Sequence, residues 1–418
     1  MRAPSNIFIL SSLLLIPFFT LAQNWCGAVH QSEIAVAQSM EDRPKMEITI
    51  PVVVHNVWRT EDQQISLEQV QSQIDVLNED FRALNADVGD VHFPFQSRVA
   101  DMEINFVLAT EDPMGQPHSG FIQRQTNESN LTGFLGGRRK LCYDDLGGST
   151  AWCTACYLNI WVAELDLEQV AGIGIFPTDI ASGEVPAAED GVYIQTDRFG
   201  RGGELEAPYD LGRTCTHEIG HYLNLFHLWG ANTPPFDCIP SECCGDSAYD
   251  DFVDDTPFQI STYLGECPGV GANSCVITPG DETDNVQNFM GLSPDNCIFM
   301  FTEGQKARVW EALQTYRTGL LAADCLKSCM VSSETEAPRS NDLMLVRQQG
   351  TGLLYTETLS PRVHWELFSG DGKQISTGYQ EFPGEVRINY QNLPTGLYFL
   401  RARQGDDWQV TKLLIARN

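Results

Sequence analysis

The chain of 418 residues carries 56 acidic against 26 basic side chains, a formal net charge of −30. A surface that negative repels nucleic acid and anionic membranes and favours cations and basic polypeptides as partners. The length exceeds what one core usually reaches, implying one large unit and a small appendage, and thirteen cysteines point to an oxidising compartment.

The first residues read as a secretory signal. Arg2 gives the positive start, the stretch 7–21 is apolar and broken by Pro17, and Thr20-Leu21-Ala22 ends in a small residue before Gln23. Residues 1–22 are expected to be removed and 23–45 to form a short pro-segment; no membrane-spanning segment is expected after that removal. The odd cysteine count leaves one thiol over. Cys26, remote from the rest, is the candidate, which leaves an even set for disulfides.

The β-branched run from Ile48 to Trp58 predicts a buried strand, with His55 as a core histidine. Ser66 and Gln69 form a capping box, and Leu67, Val70, Ile74, Leu77, Phe81 and Leu84 recur at helical spacing. Further strands are predicted over 102–109, 121–125, 157–162 and 191–195, which together with the long helix imply a mixed α/β sheet. Residues 230–285 are rich in Gly, Pro, Asp and Cys, and a loop of that length needs disulfides or metal ions to stay ordered.

Between sheet and loop, a helix predicted over 214–225 carries His217, Glu218 and His221, with His227 just beyond. Histidines four apart share one helix face, so both imidazoles reach a single ion. Zinc suits neutral imidazole, and a catalytic site takes three protein ligands and leaves the fourth position to water. His227 serves as the third ligand if the chain turns back, and Asn224 tolerates the positive φ such a turn demands. Glu218 is placed as the general base.

Residues 331–340 read as a linker. Beyond it, alternating runs at 363–367, 386–390, 397–402 and 410–415, separated by Gly370-Asp-Gly372 and Pro394-Thr-Gly396, predict a small all-β sandwich over 341–418.

The histidine motif, together with Gly212-Arg-Thr-Cys-Thr-His-Glu218, Tyr157-Leu-Asn-Ile-Trp161 and Asn288-Phe-Met290, resembles the pappalysin family of metzincin zinc metallopeptidases over roughly residues 46–320. The resemblance implies an α/β (α+β) zincin-like catalytic domain over 46–330, with a mixed sheet and an active-site helix. It makes Met290 the methionine of the turn beneath the metal. Asp295 would sit at the base of the pocket for the residue after the scissile bond, favouring cleavage before Arg or Lys. Asp251 and Thr256, in the acidic run 250–257, would bind calcium. Cys267 would pair with Cys297, and Cys275 with Cys244 or its neighbour Cys243. Cys26 would act as a latency switch on the open metal position of a zymogen. One departure stands out: the tyrosine that many members place two residues after the methionine is Leu292 here.

Cys153 and Cys156 form C-x-x-C without a second pair, which disfavours a metal site there. The stretch 393–403 followed by Lys412-Leu-Leu-Ile415 resembles the sorting domain of type IX secretion, implying that export machinery as a partner and the outer surface of a Gram-negative bacterium as destination. The sequence thus reads as a secreted endopeptidase whose polypeptide substrate lies along an edge strand at 191–195. The alternative is a secreted surface-binding or adhesive protein that keeps the zinc site with weak or no catalysis.

Overall fold

A computed structural model describes residues 47–322, apart from 136–137, 166–169, 231–242, 247–248 and 277–281, together with Cys325 and a set of strands between 344 and 415. The signal and pro-segment assignments, Cys26 and the linker lie outside the described residues.

Strand β1 (Ile48–Trp58) is the spine of a six-stranded sheet. On one flank it pairs in parallel with β2 (Ile104–Leu108) over its first half and with β3 (Phe121–Gln125) over its second. On the other flank it meets β6 (Leu158–Ala163), after a two-residue hairpin of β4 (Phe134–Leu135) and β5 (Arg138–Arg139). The sheet continues through β8 (Val192–Gln195), parallel to β6, and ends at β7 (Gly172–Gly174), antiparallel to β8. A strand enclosed by parallel neighbours has both faces covered, which is why β1 is an almost uninterrupted apolar run.

Helix α1 (Leu67–Phe81) covers one face, sending Val70, Ile74, Leu77 and Phe81 into the main core; Ser66 caps it by accepting from Gln69 N at 3.1 Å. The helix stops at Phe81, with Ala83 at φ 50°, so Leu84 leaves the predicted stripe and is 71% exposed. Short α2 (Pro177–Ser182) follows β7, then come α3 (Arg213–Tyr222) and α4 (Glu303–Thr315). Helix α3 packs into the same core as α1, beneath the sheet.

A second core on the opposite face stacks His55 on Trp161 at 5.2 Å and Trp161 on Tyr193 at 5.1 Å. His55 is fully buried, with Nδ1 2.8 Å from Ser149 Oγ and Nε2 3.0 Å from Asn159 Oδ1.

Two expectations change. The edge strand on the helix side is β7 rather than 191–195, because Gly172–Gly174 adds itself antiparallel outside β8. The cysteines beyond Cys26 do not all pair: Cys142 and Cys215 are free and buried, Cys142 with its Sγ 3.2 Å from Tyr193 Oη and Cys215 within the main core, rather than facing a second sulfur. Bonds join Cys156 to Cys325, Cys244 to Cys275 and Cys267 to Cys297, and Cys153 and Cys243 are also disulfide-bonded.

The C-terminal strands are β9 (Met344–Gln349), β10 (Leu353–Thr358), β11 (Val363–Ser369), β12 (Gln374–Gln380), β13 (Gly384–Asn389), β14 (Gly396–Gln404) and β15 (Asp407–Ile415). They form two antiparallel sheets, ordered β13-β10-β9 and β12-β11-β14-β15. The all-β character of this region agrees with the alternation in its sequence.

Burial lowers the pKa of His55 to about 4, below the usual 6.5. Between those values the unfolded chain binds a proton that the native state does not, so this contribution is complete above pH 6.5 and is lost as pH falls toward 4. Two and a half units correspond to about 3 kcal/mol. Urea unfolding at pH 7 and pH 4.5 should show a clearly smaller pH dependence for His55→Gln than for the wild type.

Candidate metal centre

Every residue of α3 is buried, and its first turn is fixed by charge. Asp295 Oδ2 accepts from the backbone N–H of Leu211 at 2.8 Å and of Arg213 at 3.3 Å, placing a carboxylate at the positive end of the helix. Burial raises Asp295 to about 6 while those two N–H groups oppose the rise. Arg213 donates to both oxygens of Asp87 at 2.7 Å and to Asp295 O at 2.6 Å. From α1, the fully buried Asp80 accepts from Thr216 Oγ1 at 2.7 Å; burial pushes its pKa up to about 7 against the pull of Arg213.

One turn further along, His217 and His221 project from the same face. His217 Nδ1 lies 2.7 Å from Phe289 O and His221 Nδ1 lies 2.7 Å from Leu225 O, so each Nδ1 donates and each Nε2 keeps a lone pair. The helix then closes in a Schellman turn: Leu225 N donates to Gly220 O and Asn224 N to His221 O, both at 2.9 Å, with Asn224 at φ 74°. This left-handed residue ends α3 at Tyr222, short of the predicted 225, and sends the chain back so that His227 joins the other two.

His221 Nε2 lies 3.1 Å from His217 Nε2 and 3.2 Å from His227 Nε2. Among the described residues this trio is the group of His, Cys, Asp or Glu side chains able to converge on a metal ion. Burial lowers His217 to about 4 and His227 well below its usual value, so these two imidazoles are neutral at pH 7. Three imidazole nitrogens aimed at one point, two of them with their tautomers fixed by carbonyls, are the donor set zinc takes.

Glu218, next to the first ligand, is fully buried. A Cβ added at Gly172 would come within 2.6 Å of its Cγ, and one at Gly174 would overlap its backbone oxygen and lie 2.8 Å from His221 Cβ. The edge strand therefore lies directly on the helix because its inward positions have no side chains. Below, a Cβ at Gly220 would overlap Met290 Sδ, so the methionine packs against the helix backbone. The turn holding Met290 is set by Asn288, whose Oδ1 accepts from Met290 N at 2.9 Å and whose side-chain amide pairs with that of Gln305 on α4.

Leu292 is buried, and its carbonyl accepts from Tyr209 Oη at 3.0 Å. In the acidic run, Thr256 Oγ1 lies 2.8 Å from both carboxylate oxygens of the buried Asp251, and Val253 N donates to Asp251 at 3.1 Å. Of the two partners left open for Cys275, the structure bonds Cys244.

Residues that sequence reasoning passed over also build the site. Gly172–Gly174 is too short for a period-2 signal, and Arg213, Asp80 and Asp87 meet only through tertiary contact. Gln305 did leave a local trace, in the T-x-x-Q capping box that it forms with Thr302.

Residues 143–314 match the family model described as Pregnancy-associated plasma protein-A (Peptidase_M43). The solved structure of mature mirolysin from Tannerella forsythia in complex with a cleaved peptide is 34% identical, with 68% of this chain and 98% of that one covered and a TM-score of 0.59. A promirolysin mutant of the same organism is likewise 34% identical, covering 68% of this chain and 87% of that one, also with a TM-score of 0.59. Extracellular metalloprotease 1 of Coccidioides posadasii is 36% identical over 162 residues, 39% of this chain and 51% of the relative. The chain thus spans about half the length of the curated relatives of this kind.

Gly174→Ala should force β7 and α3 apart, costing about 1–3 kcal/mol, the usual range for overpacking. Denaturant titration should show that loss together with weakened zinc binding. Gly89→Ala, where an added Cβ meets nothing within 4 Å, is the control and should leave zinc binding unchanged.

Proposed function

Because the chain belongs to the Peptidase_M43 family of metallopeptidases, we propose that it is a secreted, zinc-dependent endopeptidase that hydrolyses polypeptides. The observation that carries this reading is the convergence of the His217, His221 and His227 Nε2 atoms beside the buried Glu218.

His217, His221 and His227 would hold zinc. When bound, it supplies a Lewis acid that polarises the scissile carbonyl and makes water acidic enough to attack near neutral pH. Glu218 takes the proton from the attacking water and returns it to the amine nitrogen as the C–N bond breaks. An extended substrate lies along the free edge of β7, pairing backbone to backbone. Met290, the methionine of the proposed turn, supports the helix from below.

Asp295 is the basis for a preference for Arg or Lys after the scissile bond, since a carboxylate with a pKa of about 6 is ionised at pH 7. The net charge of −30 acts in the same direction on basic polypeptides. Calcium is assigned to Asp251 and Thr256, where burial pushes the Asp251 carboxyl well above its usual range and a hard cation would stabilise the charged form. Export through the type IX machinery of a Gram-negative bacterium is read from the signal-like start and the C-terminal strands, and latency through Cys26 from its thiol near the start. Among the described residues no helix is long and apolar enough to cross a membrane.

Glu218→Ala should retain one zinc per chain yet lose about 10²–10⁴-fold in kcat/KM, the span of general-base catalysis. Digestion of a peptide library by the wild type should give cuts before Arg and Lys, a bias that Asp295→Ala weakens. Full activity in the Glu218 variant would refute the mechanism, and a flat library profile would refute the pocket assignment alone.

Adding calcium to chelator-stripped, zinc-reloaded protein should raise the unfolding midpoint, and Asp251→Asn should abolish that response. An unchanged response in the variant would move the cation elsewhere.

A further inference from the structure

The three histidines are not held alike. His217 and His221 are each anchored through Nδ1 to a backbone carbonyl. Among the described residues no backbone carbonyl anchors the ring of His227, whose Nε2 meets His221 Nε2 at 3.2 Å and which stacks on Trp229 at 4.5 Å with an interplanar angle of 11°. Its position therefore depends on the backbone turn that delivers it. That turn begins at Asn224, whose φ of 74° costs energy in any residue with a side chain.

The last carbonyls of a helix lack intrahelical partners. Here two carbonyls at the end of α3 are taken by buried arginines from α4 and the turn after it. Arg317 Nε donates to Tyr222 O at 2.6 Å, and its guanidinium is itself fixed by Asp190 at 2.7 and 3.0 Å. Arg308 Nε donates to Asn224 O at 2.6 Å, with its guanidinium 4.6 Å from the centre of the Phe226 ring. Arg308 is 1% exposed. Burial pulls its pKa down while the nearby Asp251 opposes this. A cation at a helix C-terminus is favoured by the dipole, and a planar guanidinium can donate and stack at once, which lysine cannot.

We propose that Arg308 is a positioning residue for the third metal ligand: by holding the Asn224 carbonyl and lying over Phe226, it fixes the left-handed turn that places His227. The inference rests on the histidine centre proposed above. It makes α4 a dual support, with Gln305 setting the Met290 turn and Arg308 setting the His227 turn.

The test uses the zinc-loaded full chain and two readouts that a purely structural brace would not move: the rate of zinc release to a chelator, and the visible spectrum of the cobalt-substituted protein. Arg308→Lys should speed zinc release about 10–100-fold, as loss of an outer-shell partner does, and shift the cobalt bands. Val309→Ala, a buried neighbour on the same helix, should lower the unfolding midpoint and leave both readouts at wild-type values. Phe226→Leu removes the ring but keeps the donor. It should shift both readouts in the same direction by a smaller amount, and it decides the matter should the lysine variant not fold. Wild-type release and spectrum in the folded arginine or phenylalanine variant, despite a lower midpoint, would overturn the proposal. Wild-type protein that takes up no metal would overturn both this inference and the proposed function.

Discussion

Three imidazoles share one ion only while each keeps a lone pair free, and burial at the end of α3 enforces that condition. Burial disfavours a charged imidazole here, so His217 and His227 have pKa values below 6.5. The carbonyls of Phe289 and Leu225 then settle which nitrogen of His217 and His221 carries the hydrogen. The rest of the domain can be understood as what it takes to bury a polar helix of this kind. The sheet lies above it, the Met290 turn below, and its two ends need charged partners because most of their polar groups are buried.

The ends are treated in opposite ways, as the helix dipole requires. Carboxylates gather at the start, with Asp295 on the backbone and Asp80 and Asp87 on Arg213 and Thr216. Guanidinium groups gather at the finish, on the carbonyls of Tyr222 and Asn224. These partners come from α1, from the segment after it, from the turn at 295, from α4 and from the turn after α4, so the metal helix is tied to elements far apart in the chain. A ligand set held this way loses little freedom on binding an ion, which favours affinity and a single geometry.

Much of this was legible in the sequence, for identifiable reasons. The strand at Ile48–Trp58 and the helix at Leu67–Phe81 show clear periodicity, and the histidine spacing reports directly on one helix face. Asn224 marked the turn because few residues other than glycine accept its backbone conformation. What the sequence hid was long-range or too short to have a period. Gly172–Gly174 displaces 191–195 from the sheet edge, yet three residues with two glycines leave no alternation to detect. The free thiols of Cys142 and Cys215 could not be told from bonded ones, because pairing depends on where the fold brings sulfur atoms. The arginines at 213, 308 and 317 look like ordinary surface cations until their buried partners are known.

The bonds Cys244–Cys275 and Cys267–Cys297 overlap in sequence, with residues 267–275 lying inside both loops. Any one peptide bond broken between Cys244 and Cys297 is therefore bridged by at least one disulfide, and no fragment is shed. The bond from Cys156 to Cys325 extends that protection outward, enclosing α3, the acidic run and the Met290 turn in a single covalent ring. A first nick between Cys244 and Cys297 therefore leaves every piece of the metal centre covalently tethered. Losing a fragment of this segment takes two cuts, where an unbridged loop would need one.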